Sequence, residues 1–211
     1  MTALVTLGAG LLLALAAWSW SARSIDGSTR IALVAVLGVT ASAFNVVVPM
    51  PSVEATTTIV LCTALALGAR TGAAVGLVAV IGSSVTGGVG IWTMWQVTAV
   101  ALVALIGAAA ARIGTADGDW FTGRRLVMLG CAAAISALCW DVVTTAGSVL
   151  SIAPPPGVSP VEQLISFLLI GIMFTVVHIV CSVALTVLGG PPLLHALIRA
   201  RPRLAGGTVI T

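Results

Sequence analysis

The sequence predicts an all-α integral membrane protein, and three observations carry that expectation. Of 211 residues, 59% are hydrophobic and only 7% are charged, against about 25% charged in an ordinary soluble domain. Nine basic and six acidic side chains are too few to give a soluble chain of this length a polar surface. Apolar residues also come in long runs separated by Gly, Pro and polar punctuation, at a mean hydropathy of +1.20. A span needs about 20 apolar residues, so roughly seven spans use up most of the chain.

The runs cover residues 3–20, 31–48, 56–69, 71–86, 93–111, 125–149 and 162–188. The first lacks a positive n-region and is long for a signal-peptide core, so residues 1–24 read as an uncleaved N-terminal transmembrane helix. The second ends at Pro49-Met50-Pro51-Ser52 and carries a small-residue stripe, Ala32, Ala35, Gly38 and Ser42. Gly38 and Ser42 form a small-xxx-small pair, which lets another helix approach closely, either within this chain or from a partner protein. The third and fourth runs are short. Fourteen residues of helix rise about 21 Å, less than a hydrocarbon core of about 30 Å. A re-entrant pair would leave Arg70 at membrane depth, at about 2.5–3.5 kcal/mol, so two short crossings are favoured. The shortfall is made up if the 49–56 loop dips into the protein from outside. Irregular backbone at that depth is tolerated only where it is buried in protein or lines a cavity, which makes the loop part of a candidate ligand site. Gly87-Gly88-Val89-Gly90 precedes the fifth run, and Pro154-Pro155-Pro156-Gly157 with Ser159-Pro160 divides the sixth from the seventh. No internal repeat is visible. Residues 30–203 form one six-helix membrane domain, and 204–211 form a short tail.

The basic residues test this order. All nine are Arg; the chain has no Lys. Seven crossings with the N-terminus outside place every Arg in odd-numbered gaps or the C-terminal tail, and the positive-inside rule makes that face cytoplasmic. The net charge of +3 is therefore a matter of topology and not of nucleic-acid binding. The absence of lysine excludes a P-loop and a Schiff-base nucleophile. Any ATP-driven work falls to a partner, and no cofactor is expected in this chain. Cys62, Cys131, Cys139 and Cys181 lie in apolar runs without metal spacing and read as small packing residues.

Asp141 is the sharpest candidate. It lies late in the sixth run, in the outer half of the membrane, next to Trp140, with Thr144 and Thr145 one turn on. Intramembrane carboxylates face a cavity or a partner; the bland alternative is a cap near the interface. Ile91-Trp92-Thr93-Met94-Trp95-Gln96 opens the fifth span as an interfacial aromatic belt or as a stacking wall with a Gln handle. Glu54 and Glu162 lie in outer gaps. Each alone reads as a solvated residue; with Asp141 they make the outer face acidic, which favours a cationic or metal-bearing ligand. His178, with Ser182 one turn on, reads as a packing residue. Counting 1.5 Å per residue puts it about 10–15 Å deeper than Asp141, so the two make poor catalytic partners. Gly82-Ser83-Ser84-Val85 has Val where a rhomboid-type serine protease needs Gly, and no HExxH zinc motif is present.

Four segments together resemble the substrate-binding S component of energy-coupling factor (ECF) vitamin transporters of the actinobacterial type. Leu67-Gly68-Ala69-Arg70-Thr71-Gly72-Ala73-Ala74-Val75-Gly76 is similar to the LGxRxGxxxG turn between short helices. Gly90-Ile91-Trp92-Thr93-Met94-Trp95-Gln96 is similar to a GPWTPWQ-type helix opening, with Ile91 in place of Pro. Trp140-Asp141 comes late in the next helix. Gly171-Ile172-Met173-Phe174 through His178, Pro191-Pro192-Leu193-Leu194 and Arg199 is similar to GIPFDxxH…PPL…LxR, with Thr175 in place of Asp. The AxxxA docking motif is only approximated, with Val36 and Val39 in the second slots of Ala32 and Ala35.

The resemblance implies a six-helix S-component bundle plus one extra N-terminal helix, in a bacterial cell membrane. It implies binding of a vitamin-like micronutrient from outside by Trp92, Trp95, Gln96, Trp140, Asp141, Thr144 and Glu54. Ala32, Ala35, Gly38 and Ser42 would dock a separate T component, and partner ATPases would supply the ATP-driven step. The competing expectation is an intramembrane enzyme or lipid-handling protein. An enzyme needs a converging nucleophile, base and oxyanion donors, which this sequence does not assemble, so it reads as a non-enzyme.

Overall fold

A computed structural model describes residues 27–113, 120 and 122–204. These form six helices and no strand: α1 Gly27–Val47, α2 Thr56–Leu67, α3 Ala69–Gly87, α4 Ile91–Ile113, α5 Gly123–Leu150 and α6 Pro160–Leu204. Segments of α1, α4, α5 and α6 are long and apolar enough to cross a membrane; α2 and α3 yield shorter apolar helices. The chain is an all-α membrane protein. The expected helix at residues 1–24 and the tail from 205 onward lie outside the described residues.

The helix ends follow local chemistry. Pro49 and Pro51 prevent α1 from continuing. The chain then turns through Met50–Val53, where the Val53 N–H donates to the Met50 carbonyl at 3.2 Å and Ser52 takes φ 63°. Pro51 second and a positive φ third are the requirements of a type II turn. A single residue, Gly68, separates α2 from α3, at φ 90° and ψ 158°. That region of backbone space is open essentially to glycine alone. The Gly68 N–H closes α2 on the Ala64 carbonyl at 2.8 Å, and its own carbonyl accepts from Thr71 at 3.1 Å to start α3.

Helix α2 is the axis of the bundle. Every residue from Thr56 to Ala66 is buried, and all five other helices pack on it. Around it the sequence of neighbours is α1, α3, α4, α5, α6. Glycines set the close approaches: Gly72 lies against Ala64, Gly76 against Val100, and Gly107 against the Leu61 carbonyl. Small residues let membrane helices approach until backbone meets side chain, and this contact stands in for the hydrophobic drive that lipid does not supply.

Neighbouring pairs fix the directions. Gly38 meets Val78 and Gly82 meets Ser42, so α1 and α3 run parallel. Asp141 meets His178 and Gly130 meets Val187, so α5 and α6 run antiparallel. The successive helices alternate. Arg30, Arg70, Arg112, Arg124, Arg125, Arg199 and Arg201 consequently gather at one end, with Glu54 and Glu162 toward the other.

The last helix departs from expectation. The apolar run ends at 188, but α6 continues through Gly189-Gly190-Pro191-Pro192 to Leu204. Two prolines leave backbone carbonyls without helical partners, and side-chain burial carries the helix through. His178, Ser182, Thr186, Gly190, Leu194 and Leu197 form one buried stripe at intervals of four and three residues. Leu194 and Leu197 belong to the main apolar core. By contrast, residues 164–177 of α6 bury no side chain, and the apolar surface there runs round the helix, as suits a segment bathed in lipid.

Candidate functional site

His178 is the hub of the polar groups inside the bundle. Its residue surface is 1% exposed. Nδ1 lies 2.8 Å from Asp141 Oδ1. On the opposite edge of the ring, Nε2 lies 3.3 Å from Thr57 Oγ1 and 3.3 Å from Glu54 Oε1. The Glu54 contact is an ion-pair approach without hydrogen-bond alignment. Trp140 closes the site edge-on, its ring perpendicular to the imidazole at 6.4 Å between centroids.

Four elements deliver these groups. The type II turn brings Glu54 in from the α1–α2 loop, ahead of an α2 whose first residues are Thr56, Thr57 and Thr58. Twelve residues of α2 rise about 18 Å, so the start of α2 and the loop before it lie within the depth of the bundle. Helix α5 contributes Trp140 and Asp141, and α6 contributes His178. Outside this ring of contacts Asn45, on α1, donates to Thr56 Oγ1 at 3.4 Å. Toward the arginine end, Thr58 and Thr186 share a hydroxyl hydrogen bond of 2.9 Å.

Hydrogen-bond arithmetic gives the cluster two states. A fully protonated ring donates from both nitrogens, toward Asp141 and toward Glu54 with Thr57. A neutral ring that donates to Asp141 has Nε2 as an acceptor, to which Thr57 Oγ–H donates. Glu54 then faces a lone pair and has no attraction to the ring.

Of the residues singled out in the sequence, Glu54, Trp140 and Asp141 come together here. The others go elsewhere. Trp92, in the first turn of α4, is 46% exposed and lies over Gly90 of the preceding loop. Trp95 packs on the backbone of Gly147, where a side chain would collide with the indole, and donates from Nε1 to Ser151 at 3.2 Å. It clamps α4 to α5. Gln96 is half-buried on α4. Thr144 donates back to the Trp140 carbonyl at 2.8 Å. The small-residue stripe on α1 divides: Gly38 and Ser42 are consumed by packing on α3, so they present no surface to a partner, whereas Ala32 and Ala35 are exposed.

The expected separation of His178 from Asp141 is corrected: they are hydrogen-bonded. The depth count failed because it set the outer ends of α5 and α6 level. Asp141 is nine residues from the end of α5, and His178 is eighteen from the start of α6, so α6 reaches about 13 Å further at 1.5 Å per residue. Thr57 was also missed. The signal for both was present as two polar patterns in apolar surroundings: Thr56-Thr57-Thr58, and His178, Ser182 and Thr186 at intervals of four.

No protein-family model, curated protein or solved structure matches this chain.

Proposed function

We propose that the chain is the substrate-binding membrane subunit of an importer of the ECF type, capturing a vitamin-like micronutrient from outside. The observation that carries this reading is the Glu54–His178–Asp141 cluster, walled by Trp140 and reached by the loop before α2. Buried ionisable groups in a membrane bundle are costly and gather where a substrate or ion is handled. A few convergent polar groups beside an aromatic wall suit a small-molecule site. The positive-inside rule assigns the arginine end to the cytoplasm, and the loop carrying Glu54 then faces outward. With no lysine for a P-loop, the energy-coupling step belongs to partners, a T component and ATPases; Ala32 and Ala35 are the part of the small-residue stripe left for docking. The test is mass spectrometry of small molecules released on denaturing the detergent-purified chain. A stoichiometric micronutrient that is lost in Asp141→Asn supports the reading; its absence from protein purified from cells grown on rich medium counts against it.

One observation favours a second reading, an intramembrane hydrolase. Thr57 Oγ1, His178 and Asp141 Oδ1 lie in the order nucleophile, base, orienter. Glu54 on the same nitrogen and the complete burial of Thr57 oppose it. Covalent labelling of Thr57 by a fluorophosphonate, lost in His178→Ala, would establish the hydrolase instead.

A further inference from the structure

The cluster around His178 is short of hydrogen-bond donors. Asp141 Oδ2 and Asn45 Oδ1 are buried without a partner, and Glu54 Oε1 meets the ring without alignment. Ser182, fully buried and one turn along α6 on the same face as His178, has an unpartnered hydroxyl. The Asp141, Asn45 and Glu54 oxygens accept hydrogen bonds, while the Ser182 hydroxyl can both donate and accept. One N–H of the Asn45 amide is donated to Thr56, and the Trp95 indole N–H is donated to Ser151. Two acidic side chains flank one imidazole, so acidic groups outnumber basic ones in the cluster. A guest without N–H or O–H groups would leave buried acceptors unsatisfied; a positively charged guest rich in N–H groups both satisfies them and complements the two acidic side chains beside the ring. The two carboxylates lie on opposite edges of the imidazole, so the three groups do not converge on one metal ion. No metal-holding group of three such side chains occurs among the described residues.

The two ring contacts are unequal. Asp141 is held from a helix at 2.8 Å, while Glu54 comes from a loop at 3.3 Å without alignment. When Nε2 gives up its proton, Thr57 takes over that nitrogen and Glu54 is released. The titratable groups facing the ring are Asp141 from α5 and Glu54 from the loop; α2 presents only Thr57, and the described arginines lie at the other end of the bundle.

Resting on the substrate-binding reading above, we propose that this cluster binds an organic cation, such as an ammonium or amidinium, in exchange for the Nε2 proton of His178. One positive charge enters as one leaves to water, so the charge of the site is unchanged.

The experiment uses the full chain in lipid nanodiscs and four aromatic probes: benzamidinium, benzylammonium, benzyl alcohol and benzoate. Affinities are measured by calorimetry across the histidine titration range. The two cations are expected to bind and the other two to fail. Cation affinity is expected to rise with pH by at most roughly tenfold per unit, the limit for one exchanged proton. Glu54→Gln is expected to weaken cation binding by roughly tenfold or more and to flatten the pH slope. The wild-type profile decides the matter even if the variant does not fold. Cation binding that is independent of pH overturns the exchange. Glu54-dependent binding of benzyl alcohol or benzoate, or release of a neutral or anionic small molecule from the purified chain, overturns the cation assignment and leaves the substrate-binding reading standing. No probe binding together with no co-purifying small molecule overturns both.

Discussion

At Asp141 one carboxylate oxygen positions the imidazole of His178 and the other is unpartnered inside the bundle. Asp141→Ala leaves Nδ1 of a buried ring without its partner, so the variant is expected to lose about 1–3 kcal/mol of stability, seen as a lower melting temperature in detergent. Asp141→Asn retains an acceptor for Nδ1–H and is expected to melt near the wild type while losing ligand. Trp92→Ala is expected to change neither property, because that ring lies on Gly90 at the surface, whereas Trp140→Ala removes the wall beside His178 and is expected to impair both. Asp141 was legible in the sequence because a carboxylate within an apolar run is too costly to persist there without a partner or a task. The role of His178 was not legible. Its partners are set by how far α6 slides past α5, and no residue count along a single helix contains that offset.

At the scale of elements, the α2–α3 corner hangs on one backbone conformation. Gly68→Ala forces a side chain into a region that excludes it, and is expected to cost on the order of 1–3 kcal/mol, measured by thermal unfolding in detergent. Gly147→Leu drives a side chain into the Trp95 ring and is expected to separate the outer ends of α4 and α5, read as a shift of Trp fluorescence beside a lower melting temperature. The corner falls at Gly68 and not at Arg70, which lies inside α3, but the short α2 was readable from an abbreviated apolar run. The continuation of α6 was not, because Gly189-Gly190-Pro191-Pro192 is local punctuation that the buried stripe through Leu194 and Leu197 overrides.

For the whole molecule, the alternation of helices puts the described arginines at one end, and this was the most legible property of the sequence because lysine and arginine placement is read by the membrane itself. In a background with the native cysteines replaced, Gly157→Cys is expected to react with an impermeant maleimide on intact cells, and Gly123→Cys only after permeabilisation. Reaction of both from the same side contradicts the alternation. The central position of α2 also bears on biogenesis. A twelve-residue helix rising about 18 Å cannot bridge a hydrocarbon core of about 30 Å, so α2 has no stable existence as a lone inserted segment. It must enter as a hairpin with α3 or wait at the translocon for later helices to shelter it. The segment synthesised second among the six described helices is thus among the last to reach its final surroundings, and truncation before α6 is expected to leave a chain that quality-control proteases degrade.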